Sequence, residues 1–234
     1  NDIIGFLFLQ RSSWLVKTIA HRGACTEELE NSWSAFHKAV EIGAQRIELD
    51  VLLSKDQHLV ICHDDLLRRT AHSNEKISEL TREELESRIL LKNGERIPFL
   101  DQVLAELGGV IEFNIEIKSN SSIAADKVAE LVNLYTLHKT TVCSSFHTAI
   151  CSFLAAKHPD LCTALLWDKA LWWPFAFQTG PARFMKRHGI KIFHPDARIL
   201  TPHIAMLCKA AGWQIIPYIG VAHEARREEL WSYL

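Results

Sequence analysis

No apolar run in this 234-residue chain approaches the roughly 20 residues that a helix needs to cross a bilayer. The N-terminal run Ile3 to Leu9 is far too short to qualify as a transmembrane span, and Asp2 rather than a basic cluster precedes it. Neither sign of charge dominates. The 28 acidic residues stand against 26 Lys plus Arg, and the basic ones are scattered rather than striped, which excludes the electrostatic footprint of a nucleic-acid binder. The six cysteines (Cys25, Cys62, Cys143, Cys151, Cys162, Cys208) form no Cys-x-x-Cys pair, and several sit in apolar runs, as reduced thiols acting as small hydrophobes do. A disulfide framework is therefore not expected, and a cytoplasmic setting is. Because the chain begins at Asn1 rather than Met, periplasmic or membrane-associated settings stay open. There is no His-Glu-x-x-His, no internal repeat and no low-complexity linker; His147, His188, His194 and His203 lack ligand spacing and are given no role.

About half of the residues are apolar, enough to bury the core of one undivided domain spanning 1–234, since barrels of roughly 200–250 residues commonly stay whole. Strand-like and helix-like patterns alternate along most of the length. Strands are expected at 17–21, 47–53, 111–118, 140–144, 162–167, 190–193 and 213–219, with a hairpin arm at 59–62. Helices are expected at 31–42, 100–107, 123–137, 147–158 and 181–188, after the N-cap pair Thr201-Pro202, and around 224–234. Residues 64–98 interrupt the alternation with a charge-rich stretch containing the capping box Thr81/Glu84, read as an insertion over one barrel end. The repeated strand-helix units predict an α/β fold, a TIM-type (β/α) barrel of about seven units. The final strand is missing or replaced, with Ile3 to Leu9, another segment or a partner to fill the gap.

Three clusters breach the rule that buried strands exclude unpaired charge: Ala20-His21-Arg22-Gly23, Ile47-Glu48-Leu49-Asp50-Val51 and Asn114-Ile115-Glu116-Ile117-Lys118. Strand alternation puts Glu48 and Asp50 on one face, and Asn114, Glu116 and Lys118 on one face, each opposite an apolar set that packs on helices. At strand C-terminal ends the polar faces would point into the barrel mouth. Glu48, Asp50 and Glu116 then look like oxygen ligands for one hard divalent ion, Mg²⁺ or Ca²⁺. Arg22 and Lys118 add fixed positive charge, a combination that suits a phosphate. His21 and His63 are the candidates for proton transfer in phosphodiester cleavage, with Asp64 or Asp65 placed to orient His63. The aromatic group Trp167, Trp172, Trp173, Phe175 and Phe177 is read as core or local packing, with a substrate wall or lipid-facing lip as the alternative.

At these residues the sequence resembles the glycerophosphodiester phosphodiesterase family. The matching pieces are His21-Arg22-Gly23, Glu30-Asn31-Ser32, Glu48-Leu49-Asp50, Ser54-Lys55-Asp56 leading to His63-Asp64, Ile97-Pro98-Phe99-Leu100, Asn114-Ile115-Glu116-Ile117-Lys118 and Ser144-Ser145-Phe146. The resemblance implies a barrel hydrolase with one divalent ion that splits glycerophosphodiesters into glycerol 3-phosphate and an alcohol, a substrate hydroxyl attacking first to give a cyclic phosphate. By matching positions it implies His21 and His63 as the acid and base pair, Glu48, Asp50 and Glu116 as metal ligands, and Arg22 and Lys118 as phosphate contacts. Two departures stand out: Tyr218-Ile219-Gly220-Val221 replaces the family's Trp-Thr-x-Asn segment, and the usual closing Gly-Ile-Ile-Thr-Asp-like stretch is missing. Alternatives are a lysophospholipase D type activity or a catalytically impaired binding protein that keeps the site. A small-molecule substrate is expected, with membrane contact open and the oligomeric state unassigned.

Overall fold

The computed structural model describes residues 5–9, 16–168 and 174–218, with the side chains of 5–9, 16–17 and 174–175 left aside. The expected terminal helix at 224–234 and the positions of Trp172 and Trp173 lie outside the described residues.

The strands are β1 (Gly5–Leu9), β2 (Val16–His21), β3 (Arg46–Leu53), β4 (Leu59–Ile61), β5 (Glu112–Ile117), β6 (Thr141–Ser145), β7 (Cys162–Trp167), β8 (Ile192–Pro195) and β9 (Gln214–Ile215). They form one sheet in the order β1-β2-β3-β5-β6-β7-β8-β9, with β4 paired to β3. From β2 to β9 every neighbour along this path is parallel. Between the strands run α1 (Trp33–Glu41), α2 (Arg82–Arg88), α3 (Leu100–Leu107), α4 (Ser122–Leu134), α5 (Thr148–Lys157), α6 (Pro174–Thr179), α7 (Pro181–His188) and α8 (Pro202–Ala210). Parallel strands with helical crossovers must bury both faces of the sheet, and the curled sheet does so as a barrel. Where a closing parallel strand would stand, β1 instead pairs antiparallel with β2, Leu7 opposite Thr18, and lies against β9. Among the described residues it is the N-terminal run that lies between β2 and β9, one of the three ways of filling the gap that the sequence leaves open.

The outer layer is apolar. Ile47, Leu49 and Val51 of β3 and Phe113, Ile115 and Ile117 of β5 pack with Phe36 and Ala39 of α1, Val103 and Leu104 of α3, and Val128 and Val132 of α4. Inside the barrel, Ile19, Val142, Ala164, Ile192 and Ile216 make a small apolar plug. At the strand N-terminal end, buried Arg46 pairs with Glu112 at 2.6 Å. Residues 64–98 carry α2 and two short 3₁₀ turns, and their Leu67, Ala71, Ile77, Leu85 and Ile89 form a separate cluster on Val60 of β4 and Phe99. The Thr81/Glu84 capping box is formed at the start of α2.

Two strands differ from their expected bounds for local reasons. Gly189, at φ 69°, ends α7, and the Ile190 N–H donates back to Met185 O at 3.0 Å, so Ile190 belongs to the helix terminus and β8 starts at Ile192. The shift carries His194 into the strand, facing inward beside Leu166 of β7. The strand expected over 213–219 is cut to Gln214–Ile215 because Pro217 has no N–H for the ladder; Tyr218 rejoins through a bridge to Asp196.

Candidate active site

The register of β3 against β5 brings the acids together: Glu48 stands opposite Asn114 and Asp50 opposite Glu116. Residues separated by 66 positions in the chain become neighbours because both strands run parallel and in step. Oxygens of Glu48, Asp50 and Glu116 lie within 4.8 Å of one another, a span that one ion bound at roughly 2.0–2.6 Å can bridge. Glu48 and Asp50 are buried, at 2% and 0% exposure. Oδ1 of Asp50 has no hydrogen bond and lies 3.6 Å from Lys118 Nζ, so a buried acceptor is left over for a further cation. Burial pushes the Glu48 carboxyl well above its ordinary value, and Asp50 and Glu116 push it further; burial and Asp50 likewise raise Glu116, to about 7. Three carboxylates crowded this closely, two of them with raised pKa values, suit a divalent cation, so the residues present fit such an ion.

Two cations border the cluster. Lys118, just past β5, reaches Glu116 at 2.8 Å. Arg22 follows β2 at φ 55°, in the left-handed region, and the turn is closed by Gly23 at φ 80°. That conformation points the Arg22 N–H at Glu48 Oε2 (2.9 Å), while its Nε lies 3.1 Å from Asp50 Oδ2 and its other arm holds Glu30 at 2.9 Å. Asn31, also left-handed at φ 54°, donates from its amide to Asp50 Oδ2 at 2.9 Å.

His21 ends β2 on the inward face, with Nε2 3.9 Å from Glu48 Oε2. Burial and the neighbouring Arg22 lower its pKa to about 4, so the imidazole is neutral near pH 7. His63 follows β4, whose hairpin pairs Ile61 with Val51; the Cys62 N–H donates to Asp50 O at 3.1 Å, which brings His63 to the same rim, close enough for its charge to act on His21. Of the two acids that could orient His63, Asp64 does, with Oδ1 2.6 Å from Nδ1; Asp65 instead binds the backbone and hydroxyl of Ser78.

All seven expected residues therefore surround one mouth at the C-terminal ends of β2, β3 and β5. Others join them that the sequence pattern did not single out for a role. Glu30, Asn31 and Arg69 act across loops whose closure has no periodic signature, although Glu30 and Asn31 fall inside a motif. His194, given no role, is buried to 1% exposure, and its Nε2 lies 3.2 Å from Asn114 Nδ2 below the acids. Burial lowers its pKa to about 3, so it stays neutral and accepts from the amide. Phe177 is core, stacked edge-on to Phe193 at 5.2 Å, and Trp167 packs on the same cluster, in agreement with the packing reading of those two rings.

A parallel α/β barrel that gathers carboxylates, cations and two histidines at its strand C-termini defines a barrel enzyme built for an anionic substrate. The chain belongs to the glycerophosphoryl diester phosphodiesterase family, whose model matches residues 21–226. It is 33% identical over 211 residues to a glycerophosphodiester phosphodiesterase of Caldanaerobacter subterraneus subsp. tengcongensis, covering 86% of this chain and 84% of the relative. It is 36% identical over 145 residues to the human lysophospholipase D GDPD1, covering 57% of this chain and 46% of the human protein, so it spans about half of that relative's length. Among solved structures, a glycerophosphodiester phosphodiesterase from Agrobacterium tumefaciens superposes with a TM-score of 0.77 at 26% identity, covering 92% of each chain.

Proposed function

We propose that the protein hydrolyses glycerophosphodiesters to glycerol 3-phosphate and an alcohol in a reaction that depends on one divalent cation, Mg²⁺ or Ca²⁺, held by Glu48, Asp50 and Glu116. The observation that carries the reading is the meeting of these three carboxylates with Arg22 and Lys118 between two histidines. Family membership and the Caldanaerobacter relative support the substrate class. Charge supports a phosphodiester: with Glu30 balanced by Arg69, the three carboxylates against Arg22 and Lys118 leave one negative charge in excess, a divalent ion would turn this into one positive charge, and a phosphodiester carries one negative charge.

When bound, the ion supplies Lewis-acid polarisation of the phosphate oxygens. The chain's own residues do the remainder. Arg22, fixed by Glu48, Asp50 and Glu30, and Lys118, fixed by Glu116, orient the phosphate. His21 and His63 exchange protons with the attacking and departing oxygens; Asp64 occupies Nδ1 of His63 and so leaves Nε2 to face the substrate. The ester oxygen that leaves takes up a proton as its bond to phosphorus breaks, and the incoming oxygen, from water or from a glycerol hydroxyl, gives one up as it bonds to phosphorus; a cyclic phosphate formed by the glycerol hydroxyl is opened by water in a second step of the same kind.

Hydrolysis of glycerophosphocholine with Mg²⁺ or Ca²⁺, with and without chelator and beside His21→Ala, tests this reading. Activity lost on chelation and lowered by roughly 100-fold or more in His21→Ala is expected; activity indifferent to chelator refutes the metal assignment. Metal binding without turnover would mark an impaired binding protein instead. A second reading, lysophospholipase D activity, is favoured by the human relative and by Phe146, 37% exposed just past β6 and edge-on to Tyr218 at 6.1 Å, an apolar lip suited to an acyl chain. Preference for lysophosphatidylcholine over glycerophosphocholine would select it.

A further inference from the structure

Asp64 reaches the ring of the residue before it in the chain, Oδ1 to Nδ1 at 2.6 Å, across the bend at His63. Something must hold it there. Its second oxygen, Oδ2, accepts a hydrogen bond from Arg69 Nε. The other side of the same guanidinium grips Glu30 with two nitrogens, Nη1 on Oε2 and Nη2 on Oε1, the latter at 2.9 Å. Glu30 in turn accepts from Arg22 Nη1, and Arg22 contacts Glu48 and Asp50. One planar fork therefore stands between the carboxylate that orients a histidine and the carboxylate that orients a phosphate-facing arginine.

Arg69 is well placed to be rigid at its base. It closes the 3₁₀ turn Leu67–Arg69, whose Leu67 is fully buried in the core of the 64–98 segment and whose carbonyl accepts from Ala71 N at 2.7 Å. Hydrogen bonds to Glu30 and Asp64 hold the guanidinium firmly charged; burial pushes both carboxyls up, but Arg69, joined by Arg22 at Glu30 and by His63 at Asp64, holds them below their usual values.

We propose that Arg69 is a positioning residue: it fixes the ring of His63 through Asp64 and, through Glu30 and Arg22, keeps that histidine in register with the carboxylate cluster. This rests on the reading of His63 as a proton carrier. Arg69 is itself 44% exposed, and ion pairs at that exposure contribute little to folding. Its loss should therefore appear in turnover rather than in stability. Lysine cannot replace it, since a single ammonium lacks the fork that reaches both carboxylates.

The test is steady-state hydrolysis of glycerophosphocholine by Arg69→Gln and Arg69→Lys, alone and combined with Asp64→Asn or His63→Ala. Each single variant should lower kcat by roughly 10- to 100-fold, as loss of a group that orients a working side chain does, with KM and melting temperature little changed. Arg69→Gln should add almost no further loss in the Asp64→Asn or His63→Ala background, because groups acting through one another are not additive. An undiminished kcat in Arg69→Gln, or a full further loss in the double variants, overturns the proposal while leaving the role of His63 intact. Undiminished kcat in His63→Ala overturns that role and the positioning role together. Should Arg69→Gln fail to fold, Arg69→Lys runs the same comparison.

Discussion

Together with Glu48, Glu116 sets the pH behaviour of the metal-free site at the scale of single residues. Its folded pKa, about 7, stands above the ordinary carboxylate value of 4.5, first because of burial and then because of Asp50. The sign follows from linkage: a carboxyl that holds its proton more tightly when folded lends stability below pH 4.5, and that stability is lost as pH rises through 7. A divalent ion needs the ionised form and restores the loss. The rise in melting temperature on adding Mg²⁺ or Ca²⁺ should therefore grow from pH 5 to pH 8, and binding near pH 6 should release protons into a weakly buffered solution. Glu116→Gln removes one of the two carboxyls that hold a proton and should weaken both responses, leaving the share of Glu48; equal metal shifts at pH 5 and pH 8 in the unaltered protein would contradict the cluster's role. These acids were legible in the sequence because ionisable groups in strands stand out and alternation fixes their face. Arg69 and Glu30 were not: their contact closes 39 positions between two loops, and each alone reads as a solvated charge.

Elements hold these residues through turns, and the turn after β2 is a close one. Gly23, at φ 80°, has no room for a side chain: a Cβ there would lie 2.7 Å from the backbone and Cβ of Ala35 in α1. The contact is fixed by the Ala24 N–H donating to Ala35 O at 2.9 Å, so α1 sets where Arg22 sits. Gly23→Ala should cost roughly 1–3 kcal/mol in left-handed strain, with the clash added to it, and should displace the Arg22 N–H from Glu48. Gly43, at φ 78° past the end of α1, offers the comparison, because nothing lies within 4 Å of its Cβ position. Gly43→Ala should cost about 1–2 kcal/mol of stability and leave kcat alone. Urea midpoints and kcat for the pair check this; equal effects on kcat would mean that the approach to α1 does not position the site. The element pattern was legible wherever caps and breakers are local, as at Thr81, Thr201 and Gly189. The start of β8 was not, since hydropathy cannot tell an apolar residue spent on a helix terminus, Ile190, from the first residue of a strand.

For the whole molecule, the weak point among the described residues is the edge of β2, where the neighbour is an antiparallel strand rather than a parallel one. A parallel ring has no edges, but here β2 would present a row of unpaired backbone groups if β1 did not lie antiparallel along it, Gly5 to Leu9 against Val16 to Ala20. Because β1 also lies against β9, it spans the seam between the first and last parallel strands. The carboxylate cluster sits on β3 and β5, one strand further in, and its register is set by six consecutive residue pairs that do not involve β1. Removal of residues 1–9 should therefore separate fold closure from site assembly. The shortened protein should melt at a lower temperature and associate through the bared β2 edge, seen as a larger species in light scattering, while a monomeric fraction still binds Ca²⁺ with near-native affinity by titration calorimetry. Were Ca²⁺ binding to vanish while the protein stayed folded and monomeric, the site would depend on the seam strand, and the account of β3 and β5 as its self-sufficient frame would be wrong.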